Sequence, residues 1–213
     1  MIRKLILTIA MALCVMMTMG TATAGEGYYL GVQSGMTWVE DTNTSGTSGE
    51  MDSGYAVGIT GGYDFGMFRV EAEGSYREND IDKIVIFGNP TTCGGDISST
   101  SLMFNGYVEF ENKTQITPYV GAGLGINRIE HKGYAKYGGG TTVNFDTSET
   151  VFAWSVTAGL AWNLSDTLAL DLSYRYLTSQ DVDTAGTSNW GFTSRGQIDY
   201  EVQNILIGLR WYF

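Results

Sequence analysis

The sequence is short of cysteine, proline, histidine and cationic side chains. It has two cysteines, two prolines and one histidine in 213 residues, and 12 Lys and Arg stand against 23 Asp and Glu, a formal net charge of -11. That balance excludes a nucleic-acid partner, because phosphate binding needs clustered Lys and Arg. Beyond the extreme N-terminus no apolar run reaches the roughly 18 residues that a transmembrane helix needs. What is abundant is aromatic residues, 13% of the chain, and glycine, 29 residues. Glycine is at about twice its usual share of roughly 7% and follows no collagen-like period. Aromatic and β-branched residues along the whole length argue against disorder. A Gly-rich, Pro-poor, aromatic-rich chain reads as all-β.

The N-terminus reads as an address. Arg3 and Lys4 precede an uncharged apolar stretch of 15 residues, Leu5 to Met19. Ala22-Thr23-Ala24 then places small residues at the -3 and -1 positions of a signal-peptidase site. This is the secretory pattern, with residues 1–24 cleaved after Ala24 and 25–213 forming one domain. The plain alternative, a helical anchor, has a short run and no basic stop-transfer flank. A lipoprotein reading fails at Cys14, because Leu13 before it is too large. Loss of Arg3 and Lys4 takes the net charge from -11 to -13 and leaves Cys93 as the one cysteine. No internal disulfide or cysteine zinc site can then form. Cys93 lies in Thr92-Cys93-Gly94-Gly95, a loop context that suits a free thiol better than an interchain bridge.

Eight segments alternate in polarity with period 2, the signature of half-buried strands. They are Gly27–Trp38, Gly54–Asp64, Met67–Arg77, Ser99–Glu111, Ile116–Arg128, Val151–Trp162, Thr167–Thr178 and Ile198–Phe213. Most exceed the usual strand of about 5–6 residues and match the ~9–11 residues that a tilted strand needs to cross a bilayer. Their connections alternate in length. Asp64-Phe65-Gly66, Asn112 to Gln115 and Asn163-Leu164-Ser165 are tight turns. Val39–Ser53, Glu78–Ser98, Ile129–Thr150 and Ser179–Gln197 read as long loops rich in Thr, Ser, Gly and Asp. Short turns at one end and long loops at the other belong to an up-and-down transmembrane barrel, with both termini periplasmic and the loops extracellular.

Alternation leaves open which face points inward, and the side chains decide. One face gathers aromatics near both strand ends: Trp38, Tyr55, Tyr76, Phe152 and Tyr176 toward the long loops, and Tyr63, Phe68, Phe110, Trp162, Trp211 and Phe213 toward the short turns. Two aromatic girdles around an aliphatic band form the lipid-facing surface of a membrane barrel. The opposite face is small and charged. It carries Gly31, Gly35, Gly58, Gly62, Gly121, Gly123, Gly125, Gly159 and Gly208, with Arg69, Glu71, Glu73, Arg77, Glu109, Asp171, Arg175 and Arg210. Four cations and four anions in so acidic a chain suit an enclosed interior, where an unpaired charge is costly. A soluble barrel with the apolar face inward fits less well. The expectation is an all-β, eight-stranded antiparallel up-and-down barrel with a polar plug, completed by Gln33, Asn105, Tyr107 and Ser173.

These residues resemble a known group. The signal sequence, the eight strands and the ending Leu209-Arg210-Trp211-Tyr212-Phe213 are similar to those of small Gram-negative outer-membrane barrels of the opacity and OmpA/OmpX type. So are Thr117-Pro118-Tyr119-Val120-Gly121-Ala122-Gly123-Leu124-Gly125 and the run from Leu164 to Tyr176. The resemblance implies residence in the outer membrane among its lipids and lipopolysaccharide. It also implies recognition of Phe213 by the barrel-assembly machinery. No peptidoglycan-binding domain follows the barrel segment in this sequence. Such barrels host adhesins, enzymes and narrow channels, so fold analogy does not decide function.

The chemistry points away from catalysis. The lone histidine, His131, has no serine within two residues, although a distant one such as Ser101 could approach in the fold; it reads as a solvated loop residue. The carboxylates Glu71, Glu73, Glu109 and Asp171 suit ion pairs with arginines better than acid–base catalysis. Metal-ligand spacing and phosphate-loop context are missing, since Gly138-Gly139-Gly140 lies in a loop, so no cofactor is expected. The long loops carry 13 acidic and 4 basic residues. Phe87, Tyr134, Tyr137, Trp190 and Phe192 there are candidate anchors for an extracellular protein or glycan. The reading is a non-catalytic surface protein with a structural or adhesive role. A narrow channel is the first alternative and a lipid-modifying enzyme the second.

Overall fold

The computed structural model describes residues 26–39, 47–51, 53–86, 89–110, 112, 114–137, 141–188 and 193–213. The expected signal sequence therefore lies outside the described residues, as do Phe87, Gly138, Gly139, Gly140, Trp190 and Phe192. The strands are β1 Glu26–Val39, β2 Thr47–Met51, β3 Gly54–Phe65, β4 Phe68–Ile86, β5 Asn89–Glu109, β6 Ile116–Tyr137, β7 Thr141–Ser165, β8 Leu168–Ser188 and β9 Thr193–Tyr212. Every pairing is antiparallel, each long strand joins its chain neighbours, and β1 pairs with β9 to close the ring. The short β2 lies above β3 on the same side of β4, so the two act as one interrupted strand and the barrel has eight staves.

The register sets the shape. Gly31 pairs with Thr60, and the path runs on through Glu73, Met103, Gly125, Ala153 and Ser179 to Tyr200 on β9. Gly31 pairs directly with Arg210, so one circuit displaces the register by ten residues, from 200 to 210. Eight strands with that stagger tilt by about 40° from the barrel axis.

Burial is inverted relative to a soluble protein. Val32, Ile59, Val70, Phe104, Leu124, Val156, Leu172 and Ile207 are exposed, while the buried set is dominated by Arg, Glu, Asn, Ser and Thr. The aromatic residues expected in girdles are on the outward face at the two ends of this apolar band, joined by Tyr28, Phe65 and Trp154. They touch in pairs: Tyr28 and Tyr63 edge-on at 4.8 Å, Tyr55 and Tyr76 at 6.3 Å, Trp154 and Tyr176 at 6.0 Å. The turn after β3 is fixed locally, with the Gly66 N–H donating to Asp64 Oδ1 at 2.9 Å and Gly66 at φ 87°, a conformation that favours glycine.

The long connections differ from the expectation. Glu78–Ser98, Ile129–Thr150 and Ser179–Gln197 are mostly paired strand, and part of Val39–Ser53 is β2. The β6–β7 ladder runs from the outer girdle through ten further pairs, Arg128↔Thr150 to Tyr137↔Thr141. The outward face of these stretches meets water instead of lipid, so the period-2 signal weakens while backbone pairing persists. Cys93, expected in a loop, is on β5 opposite Ala135. His131, expected on a solvated loop, is on β6 between Ile97 and Thr147, half-buried. The ladders also contain one long break, where β7 and β8 lose pairing between Phe145 and Ala153.

Candidate functional site

The inward face is built from alternate positions of eight strands, and small residues make room for large ones. A Cβ on Gly159 would lie 2.5 Å from Tyr119 Cζ, and one on Gly123 would meet the Asn105 side chain. The glycines therefore hold the space that the charged and phenolic side chains occupy.

Those side chains form two tiers. In the tier at the short-turn end, periplasmic by the expected orientation, Arg69 donates from Nε to Glu109 Oε1 at 2.7 Å and from NH1 to Glu71 Oε2 at 3.0 Å. The Tyr29 and Tyr107 hydroxyls donate to Glu71 at 2.8 and 3.1 Å. The Arg69 guanidinium lies 4.0 Å from the Tyr107 ring centroid and 5.1 Å from that of Tyr119, within the range of cation–π attraction. Arg210 serves three carboxylates: Asp171 at 2.6 Å, Glu109 at 3.2 Å and Asp64 at 3.6 Å. Above this tier Glu73, fully buried, receives Arg175 NH1 on both oxygens at 2.6 Å, Ser75 Oγ at 2.9 Å and Asn105 Nδ2 at 3.1 Å. Arg77 bonds Ser101 Oγ at 2.6 Å and Asn204 Oδ1 at 3.1 Å, and approaches Glu73 at 3.8 Å.

All eight charged residues singled out in the sequence are thus in one enclosed network. Asn105 and Tyr107 join it directly, while Gln33 and Ser173 line a cavity of about 30 Å³ beside Arg69, Arg175 and Arg210. That volume holds about one water. Two features were missed. Asp64 read as a turn residue, but its side chain points inward, 1% exposed, and accepts from the Tyr212 hydroxyl at 3.1 Å. Toward the outside, Ile97, Met103, Ile129, Ala153, Leu177, Tyr200 and Val202 pack into an apolar cap over the charged tiers. The only hint of it in sequence was the scatter of apolar residues on the otherwise polar face.

Among the described residues, the serine considered as a partner for the histidine lies elsewhere. Ser101 pairs with Asn127, four residues from His131, and its hydroxyl is engaged by Ser75 and Arg77. Burial pushes His131 below the ordinary histidine range, against the pull of Asp96. Outward on the same strand, Glu130 bridges Lys132 at 3.4 Å and Arg128 at 3.2 Å, and these cations hold its carboxyl below the usual range. Among the described residues no group of three His, Cys, Asp or Glu has a geometry that could hold a metal ion.

Known proteins agree with this architecture. The outer membrane protein PagN of Salmonella typhimurium is 28% identical over 211 residues, covering 79% of this chain and 88% of that protein. A protein of Rickettsia felis described as a candidate adhesin is 24% identical over 203 residues, covering 88% of each. Neisserial surface protein A superposes with a TM-score of 0.57 at 18% identity, covering 88% of this chain and 97% of its own. A family model described as the outer membrane protein beta-barrel domain matches residues 6–213. The inverted burial, the closed antiparallel ring and this match together make the chain a member of the outer-membrane β-barrel family, resident in the bacterial outer membrane.

Proposed function

We propose that this chain is a non-catalytic surface-display barrel, which holds paired hairpins above the outer membrane for contact with an extracellular protein or glycan. The observation that carries the reading is the continuation of the β6–β7 ladder ten pairs beyond the outer girdle. A ladder of that length is a rigid mast, and rigid display lowers the entropy lost on binding. The relatives support the same direction, since PagN is an outer membrane protein and the Rickettsia felis protein is described as a candidate adhesin. The interior supports a plug: guanidinium–carboxylate pairs fill the periplasmic part and the apolar cap covers them. Lipopolysaccharide surrounds the outer girdle, and at the opposite end the Phe213 N–H donates to Tyr28 O at 3.0 Å.

The test is attachment. Bacteria without other adhesins would express the full chain, or a form in which residues 130–148 are replaced by a two-residue turn, and adhere to epithelial monolayers. Trimming should abolish the gain in attachment while leaving the heat-dependent gel shift of the folded barrel intact. Equal attachment by both forms sinks the display reading. In planar bilayers the full chain should be silent, and reproducible unitary steps would move its function to transport.

A further inference from the structure

Among the described residues the charges of the interior do not balance. Four guanidiniums, Arg69, Arg77, Arg175 and Arg210, face five carboxylates, Asp64, Glu71, Glu73, Glu109 and Asp171, and all nine side chains are at least 87% buried. The imbalance is also uneven. The upper tier has Arg77 and Arg175 around Glu73 alone, an excess of one positive charge. The periplasmic tier has Arg69 and Arg210 against Asp64, Glu71, Glu109 and Asp171, an excess of two negative charges. One added positive charge in the lower tier would leave the tiers at minus one and plus one and the interior neutral. An uncompensated charge enclosed at low dielectric costs several kcal/mol in general, so the molecule must supply that charge.

The geometry narrows where it goes. Arg210 is overcommitted, because its single NH1 lies between Glu109 Oε1 at 3.2 Å and Asp64 Oδ2 at 3.6 Å while its Nε is taken by Asp171 Oδ2. Two carboxylates on one nitrogen are close enough to repel each other. Beyond Arg69, which bonds Glu109 at 2.7 Å, their described surroundings offer no further cation: Tyr29 from β1, Glu71 from β4, Tyr107 from β5, Tyr119 from β6, Asp171 from β8 and Tyr212 from β9. A metal ion fits badly, since the two guanidiniums already occupy the positions between the acids. A proton needs no space of its own.

We propose that the periplasmic tier is a binding site for one proton, held at Asp64 beside Glu109 and Arg210, and that this proton completes the charge balance of the plug. The bound proton removes the Asp64–Glu109 repulsion and leaves Arg210 to Glu109 and Asp171. Asp64 lies at the periplasmic end of β3, so the site exchanges with the periplasm through the turn at Phe65 and Gly66. The inference is independent of the display reading, because it concerns the opposite end of the barrel.

Infrared spectra of the folded barrel in H2O and D2O at pH 7 test it. The expected result is one protonated-carboxyl C=O band that shifts on deuteration, present in the natural chain and absent in Asp64→Asn. A natural chain without that band overturns the proposal, since all five carboxylates would then be ionised. A melting temperature that in the same sample depends on sodium against choline would identify a cation as the balancing charge. Urea unfolding between pH 5 and 8 gives a second reading. The folded state holds one proton more than the unfolded state, so the folded-to-unfolded ratio should fall about tenfold per pH unit while that proton is held, and Asp64→Asn should flatten the profile. Identical slopes for the two chains overturn the proposal. Should Asp64→Asn not fold, the band in the natural chain alone decides.

Discussion

Glu73→Gln is the sharpest perturbation of the plug. Glu73 is the one carboxylate of the upper tier, 0% exposed, and it meets Arg175 at 2.6 Å and Arg77 at 3.8 Å. Glutamine keeps the shape and an acceptor for Ser75 and Arg175 but removes the charge. Two buried guanidiniums then face each other with no carboxylate between them. Charges about 4 Å apart interact by about 4 kcal/mol at an effective dielectric constant near 20. Removing one partner of a buried pair costs about 3–5 kcal/mol, because the other is left uncompensated. The expected loss is therefore about 3–5 kcal/mol, roughly two to nearly four powers of ten in the folded-to-unfolded ratio. The assay is urea unfolding in lipid vesicles, followed by tryptophan fluorescence and the heat-dependent gel shift. Adding Arg175→Met to Glu73→Gln should recover part of the loss, with a coupling of at least about 1 kcal/mol in the double-mutant cycle. A cost of Glu73→Gln below about 1 kcal/mol, the range of a solvent-exposed pair, would mean that water screens the interior and that the plug does not hold the barrel together.

Two more outcomes follow from the same geometry. Gly159→Val should destabilise the fold by about 2 kcal/mol or more, since its first carbon already meets the Tyr119 ring and its branches have no free space; an unchanged urea midpoint would show that Tyr119 can swing away. His131, held below the ordinary value of 6.5 by burial, should titrate by NMR below that value, and the hairpins around it should lose stability as pH falls through that range, because the unfolded chain takes the proton first. His131→Gln should remove that acid sensitivity, and a midpoint at or above 6.5 would refute it.

The transmembrane part of the fold was legible because lipid and enclosed interior impose opposite polarities on successive residues. Ile205, Ile207 and Leu209 against Asn204, Gly208 and Arg210 is a pattern with one solution. Above the membrane both faces of a strand can be polar, so nothing in Thr141 to Thr150 distinguishes ladder from loop, and the hairpins were lost. Asp64 was hidden for a different reason. Asp-x-Gly is turn chemistry, and the same side chain both caps the turn through Oδ1 and enters the network through Oδ2. The apolar cap was illegible because Ile97, Ile129 and Tyr200 come from strands far apart in sequence and meet only once those strands are paired in register.

The pairing of β1 with β9 also governs how the molecule can be made. Its eleven register pairs, from Tyr29↔Tyr212 to Val39↔Val202, join the two extremes of the described chain. Closing a loop of that size costs about 4–5 kcal/mol of chain entropy, only modestly more than closing a short one. Stopping short costs far more, since both edges would present rows of unpaired N–H and C=O groups to hydrocarbon. Partial barrels therefore have no stable place in the membrane, and the chain must be kept unfolded and escorted until its last strand has arrived. Removing β9 would leave a sheet with two sticky edges, fit for aggregation or degradation, instead of a smaller barrel.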